Sequence, residues 1–280
     1  MKKILFVLGT FLSLVASAQV KMPAASPTQT LTQDFGLGKI EIVYSRPGLK
    51  GRAAFGNGSL LAPTGIVWRT GANGATKVTF SDPVTIGSKT LPAGAYGLFT
   101  IPGETEWTII FNSNSKGWGS FSYTEAEDVV RLKVKPETTS NSTETFTIGI
   151  GNITPETASI SLKWANTMVN IPISTDIKST IRKQIETATT GTNVKASVYQ
   201  DAANFYFDMD KDYDKALVFV DKAIQGNPTA YYLFLLKART QKALGDKKGA
   251  KVSAETCVKL AEAAKNADYV RSGNEVIASL

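Results

Sequence analysis

The hydrophobic period of this chain changes near residue 175, and that change limits the fold more than any single motif does. From Thr28 to Ser174 apolar side chains recur at every second position between turn signals. Lys39-Ile40-Glu41-Ile42-Val43-Tyr44, Lys77-Val78-Thr79-Phe80 and Arg131-Leu132-Lys133-Val134-Lys135 all alternate, as strands with one face in a core must. Tyr96 to Ile101 and Trp107 to Phe111 flank Pro102-Gly103-Glu104, a hairpin signal. Asp82-Pro83, Pro92-Ala93-Gly94 and Thr154-Pro155-Glu156 mark further turns. Later strands are expected over Thr145 to Ile150, Ala158 to Trp164 and Met168 to Ile173. About ten short strands at this spacing predict an antiparallel β-sandwich, jelly-roll-like, in preference to a barrel. Beyond it the spacing is helical, so the fold class is α+β in separate regions.

Ile177, Ile181 and Ile185 recur every four residues and predict a short helix over Thr175 to Thr189. Thr190-Gly191-Thr192-Asn193 breaks it, which makes 175–193 a connector. From Val194 an internal repeat emerges. Ala216 and Ala250 lie 34 residues apart, as do Ala223 and Cys257, and Asp212 matches Asp246. This region, 194–280, resembles the tetratricopeptide repeat, a helix–turn–helix of that period. The first unit, Ala203 to Pro228, carries Tyr213-Asp214-Lys215-Ala216-Leu217 and Ala223-Ile224, with one extra residue in the Asp208 to Asp212 turn. The second, Ala230 to Ala263, keeps Ala238, Gly245, Asp246 and Ala250 but lacks a closing proline. A last helix, Ala267 to Ser279, caps the stack. Such arrays need about three units to bury a continuous core, so this one is expected to dock on the sandwich. Cys257 is expected to be a small helix-packing residue.

The first 18 residues read as a signal peptide: Lys2 and Lys3, an apolar run from Ile4 to Val15, then Ala16-Ser17-Ala18. The expected mature chain begins with a tail, 19–26, and is periplasmic or extracellular. Loss of Lys2 and Lys3 takes the formal charge from +7 to +5. That excess is diffuse, with no basic stripe for nucleic acid, and no further stretch is long enough to span a membrane. The chain has no His and one Cys. A Ser-His-Asp triad is therefore impossible, zinc is disfavoured, and no metal or cofactor is expected.

Two polar, glycine-rich segments follow strand-like runs near the front: Tyr44-Ser45-Arg46-Pro47-Gly48-Leu49-Lys50-Gly51-Arg52 and Trp68-Arg69-Thr70-Gly71-Ala72-Asn73. With Leu91-Pro92-Ala93-Gly94, Tyr96, Leu98-Phe99, Ile101-Pro102, Trp107, Phe111 and Trp118-Gly119 they run in the order of a bacterial exported family of unknown function, number 2911, which 27–174 resembles. Ala54 to Ser59 departs slightly from that pattern. The resemblance implies export and a C-terminal helical repeat, and no chemistry.

The candidate ligand-binding residues are Tyr44, Arg46, Lys50, Arg52, Trp68, Arg69, Asn73 and Trp118. Arg46 and Arg69 can form a bidentate fork for a carboxylate, phosphate or sulfate, with Asn73 adding an amide. The alternative is that Glu41, Glu125, Glu127 or Asp128 neutralises them. The loop Asn112 to Tyr123 carries three aromatics and reads as a lid for a sugar or peptide, or as a plug with Trp118 in the core. No catalytic residue is assigned. The first reading is an exported binding module, with a small anionic or sugar-like ligand or a protein segment on the sandwich and a protein partner on the helices. A carboxylate-dependent hydrolase or lyase using Glu104, Glu106, Glu125, Glu127 or Asp128, and a structural envelope component, are the alternatives.

Overall fold

The computed structural model describes residues 22–280, so the expected signal peptide lies outside the described residues. The strands are β1 (Thr28–Phe35), β2 (Gly38–Ser45), β3 (Phe55–Gly56), β4 (Ala62–Pro63), β5 (Ala72–Phe80), β6 (Val84–Ile86), β7 (Lys89–Leu91), β8 (Gly94–Ile101), β9 (Trp107–Asn112), β10 (Asp128–Val134), β11 (Glu137–Gly151) and β12 (Thr157–Ser174). Six of them form one antiparallel sheet in the order β1-β2-β5-β8-β9-β10, and four form another in the order β11-β12-β6-β7. The β8–β9 hairpin stands where Pro102-Gly103-Glu104 places it.

One apolar core lies between the two sheets. Ile40, Ile42 and Tyr44 of β2, Val78 and Phe80 of β5, and Ile109 and Phe111 of β9 enter it from the larger sheet. Phe146 and Ile148 of β11, with Ile160, Leu162 and Trp164 of β12, enter from the smaller. Trp68 stacks on Trp164 at 5.6 Å between centroids, with Phe146 edge-on to both at 5.0 and 5.7 Å. Each such pair adds about 0.5–1.5 kcal/mol beyond the area it buries.

The two strands expected over Ala158 to Trp164 and Met168 to Ile173 are one continuous strand. In β12 the buried residues are even-numbered to Trp164 and odd-numbered from Val169. A strand cannot change face without an irregularity. Ala165, at φ 48°, supplies it, and the pairing with β11 shifts register there.

The helices are α1 (Ile177–Thr189), α2 (Ala196–Asn204), α3 (Tyr213–Gly226), α4 (Tyr231–Ala243), α5 (Lys247–Ala263) and α6 (Ala267–Ala278). Between α2 and α3, Phe205–Asp210 is a π-helical turn ended by left-handed Lys211 at φ 58°. Ala216 and Ala250, Val220 and Ala254, and Ala223 and Cys257 are three fully buried pairs, each 34 residues apart. Ala203 and Ala238, also fully buried, are 35 apart. The π turn lies between these two sets and absorbs the extra residue, as a one-residue π-bulge does. The side chains of Asp212 and Asp246 cap α3 and α5, accepting from Lys215 N at 3.0 Å and Gly249 N at 2.9 Å. An N-cap of this kind contributes about 1 kcal/mol.

The expected docking of the array on the sandwich is not observed. The helical clusters are built from helical residues alone. Ile181 and Ile185 of α1 cover Phe205, Tyr206 and Ala216, so α1 closes one end of the stack while α6 covers the other. The array thus obtains its missing layer from its own chain. Contact with the strands runs through the start of α1, where Thr175 Oγ1 donates to Pro83 O at 3.0 Å and Lys178 meets Glu156 at 3.4 Å.

Close helix approach at the alanines makes added volume costly. Ala216→Leu and Ala250→Leu should each destabilise the chain by about 1–3 kcal/mol, read as a lower urea midpoint. An unchanged midpoint would contradict the repeat packing.

Candidate functional site

Most of the first polar segment is stitched to β11. Tyr44 shares its face of β2 with Ile40 and Ile42 and is buried with them. Its hydroxyl accepts from Ile148 N at 2.9 Å and lies 3.2 Å from Ile148 O and 2.9 Å from Gln29 Oε1. Burial raises its pKa from the ordinary phenol value. Arg46 donates from Nε to Phe146 O at 3.1 Å and from a terminal nitrogen to Thr147 Oγ1 at 2.8 Å. The backbone N of Lys50 donates to Glu144 Oε1 at 2.8 Å, and exposed Arg52 wraps back onto Leu49 O and Gly48 O, both at 2.9 Å. These contacts hold the turn on the neighbouring strand and engage Arg46 with neutral acceptors.

The second segment differs. Trp68 is buried, its Nε1 donating to Gly71 O at 3.1 Å. Thr70 is buried too, and Arg69 between them is half-buried. Arg69 has no ion pair or side-chain hydrogen bond among the described residues, and its Nε is buried without an acceptor. Two of the acids considered as its neutralisers are engaged elsewhere: Glu125 and Asp128 meet Arg131. Leaving such a donor unmade costs about 1–3 kcal/mol. Asn73, at φ 59°, donates from Nδ2 to Ser45 Oγ at 3.2 Å and Ser26 O at 3.3 Å. Arg46 and Arg69 therefore have different surroundings, and the expected fork rests on Arg69 alone.

The Asn112 to Tyr123 loop lies over Arg69. Its backbone is fixed by Ala75 N to Gly117 O and Gly119 N to Asn73 O, both 3.1 Å. A Cβ on Gly119 would stand 3.5 Å from an Arg69 terminal nitrogen. Gly97 lets the loop lie against β8, since a Cβ there would come within 2.5 Å of Asn114 O. The base is clamped by fully buried Asn112, whose Nδ2 donates to Thr124 O at 3.0 Å and Asp128 Oδ1 at 2.8 Å, and whose Oδ1 accepts from Asn114 N at 2.9 Å. Tyr123 donates to the other Asp128 oxygen at 2.8 Å. Burial, then that hydrogen bond, pushes the Tyr123 pKa well above the ordinary range. At the tip Trp118 is 70% exposed, so it is no plug, and Phe121 is 92% exposed. Phe121 and the clamp residues were not among the expected site residues, although the loop that holds them was. Ser122 Oγ, in the same loop, is the other buried polar side-chain atom without a partner among the described residues.

The helical region carries a second candidate surface. A cavity of about 420 Å³ runs along α2, the π turn, α4 and α6, lined by Asn204, Phe207, Asp208, Tyr232, Arg239 and Tyr269. A neighbouring one of about 410 Å³ shares Phe207 and Arg239 and reaches Lys242 and Val276. Asp208 and Arg239 have no ion pair among the described residues. Cys257 is fully buried, and burial pushes its thiol pKa up. No helix among the described residues is long and apolar enough to cross a membrane.

Removal of the Tyr44 hydroxyl tests the structural assignment. Tyr44→Phe leaves Ile148 N without its buried acceptor and should cost about 1–3 kcal/mol in chemical unfolding. A cost near zero would return Tyr44 to the list of ligand-facing residues.

Comparison with known proteins bears on the strand region. No curated protein matches the chain. Residues 26–173, more than half of it, match the family described as "Protein of unknown function (DUF2911)". The span covers the two motifs, the β8–β9 hairpin and the Trp118 loop, and on that match the chain belongs to this family of proteins of unknown function.

Proposed function

We propose that the chain is an exported binding protein, active in the periplasm or outside the cell, whose tetratricopeptide-like helices hold an extended segment of a protein partner. One observation carries the reading: two cavities share Phe207 and Arg239, the first bordered by α2, the π turn, α4 and α6 and the second by the π turn, α4 and α6, and α2, α4 and α6 are the first helices of successive units. Phe207, Tyr232, Leu236 and Tyr269 line the first cavity together with polar Asn204, and Asp208 and Arg239 bring opposite charges to it. A segment lying there buries apolar side chains on Phe207, Tyr232 and Tyr269 and reads the two charges at its polar positions. The π turn contributes directly, because it projects Phe207 and Asp208 into the groove.

The strand region is the second binding surface of this reading, at Arg69 and the Trp118 loop. The hydrolase or lyase alternative has less support. Glu106 meets Lys133 at 2.6 Å, Glu125 and Asp128 are held by Arg131, and Tyr123 also bonds Asp128. Glu104 and Glu137 border one cavity of about 310 Å³, but Glu137 accepts from Asn170 at 3.0 Å.

Site-specific photocrosslinking in the exported chain, expected to start at Gln19, tests the groove. A photoreactive residue at Tyr232 should capture a protein that the same residue at exposed Val252 on α5 does not. Arg239→Glu should abolish that capture with the fold intact by circular dichroism. Equal capture from both positions would contradict the groove as the binding face.

A further inference from the structure

The two buried side-chain polar atoms without partners among the described residues, Arg69 Nε and Ser122 Oγ, belong to a single place in the fold. Ser122 is in the Trp118 loop, and Arg69 lies beside Gly119 of that loop. The loop is also where two aromatic rings face water, Trp118 and Phe121. A ring held out by a fixed backbone loses little conformational freedom on binding. The backbone at Trp118 is fixed, because Gly117 O and Gly119 N both pair with the start of β5.

The surroundings of the rings define what they suit. From Asn112 to Thr124 the loop contains four serines, two asparagines and Lys116, and no acid. Two exposed rings with the Ser120 hydroxyl between them, in a segment rich in serine, match a ligand that is itself a ring with hydroxyls at its edge and C–H groups on its faces. A protein-docking patch has instead an apolar centre and a polar rim. The charge is one-sided: Lys116 is exposed, and neither it nor Arg69 has an ion pair among the described residues. A planar guanidinium takes a carboxylate through two parallel hydrogen bonds.

We propose that the Trp118 loop is a binding platform for a carboxylated saccharide, with Arg69 holding the carboxylate and Trp118 and Phe121 stacking on the sugar faces. The proposal rests on the reading of the chain as a binding protein, but it concerns the strand region alone. Its failure leaves the helical groove untouched, and the groove experiment does not bear on it. Contact with the carboxylate gives the Arg69 guanidinium the acceptor it lacks among the described residues.

The four tryptophans make the test direct. Trp68, Trp107 and Trp164 are buried, so Trp118 is the one whose emission senses water. The probes are a galacturonic acid tetramer, its methyl ester, an acidic peptide and phosphatidylglycerol vesicles, each titrated into the full mature chain. The free-acid tetramer is expected to shift the emission to the blue, and the ester to bind at least tenfold more weakly. Arg69→Gln should remove that preference and Trp118→Ala should abolish binding in calorimetry. Trp118 is exposed, so its variant stays informative even if Arg69→Gln fails to fold. Equal binding of acid and ester overturns the role of Arg69. Binding of the peptide or the vesicles in place of the saccharide, or of no probe at all, overturns the proposal.

Discussion

The burial of Trp68 is the constraint on which the strand region depends. Its ring stacks on Trp164 of the opposite sheet, and its backbone exchanges hydrogen bonds of 2.7 and 2.9 Å with Thr100. The segment is thereby tied to both sheets. Arg69, between buried Trp68 and Thr70, is half-buried with its Nε enclosed. Left-handed Thr70 and Gly71, at φ 54° and 152°, then reverse the chain into β5. Any side chain at Gly71 would meet Ser45 O at 2.9 Å, so the reversal needs glycine. The cation is presented by a rigid support and not by a mobile loop.

The same rigidity explains how the neighbouring loop displays its rings. Asn112 and Asp128 use nearly all their polar atoms to close the loop's base. At the tip the backbone pairs with the start of β5, and the Trp118 and Phe121 rings stay in solvent. In the helical region the arrangement is reversed. There the fixed elements are small buried residues, and the exposed surface is a groove between successive helices. The two regions have separate apolar cores and two different kinds of candidate surface.

Much of this was legible in the residues. The switch of period located the strands and helices, Ile177, Ile181 and Ile185 marked α1, and the 34-residue spacing predicted which small residues are buried. The extra residue between Asp208 and Asp212 was visible as an irregularity, but not that it forms a π turn lining a groove. Tyr44 could have been placed correctly, since it continues the Ile40, Ile42 face. Its position beside Arg46 and glycines made it resemble a ligand residue instead. The continuity of β12 was not legible, because the left-handed turn at Ala165 carries no glycine or asparagine to announce it. Nor was the packing of α1 against the π turn, which depends on contacts between elements whose approach no local pattern reports. The difference between Arg46 and Arg69 is of the same kind: both follow strand-like runs beside glycines, and only the path of β11 decides that one finds acceptors.

The central claim is that the Arg69 guanidinium has no partner among the described residues. The direct measurement is the unfolding free energy of Arg69→Met in the absence of any ligand. Replacing an unpartnered charge by an apolar chain of similar length should leave stability unchanged or raised. A loss of about 2 kcal/mol or more, the cost of breaking a charged hydrogen bond, would contradict the account, because it would mean that the protein already satisfies this side chain itself.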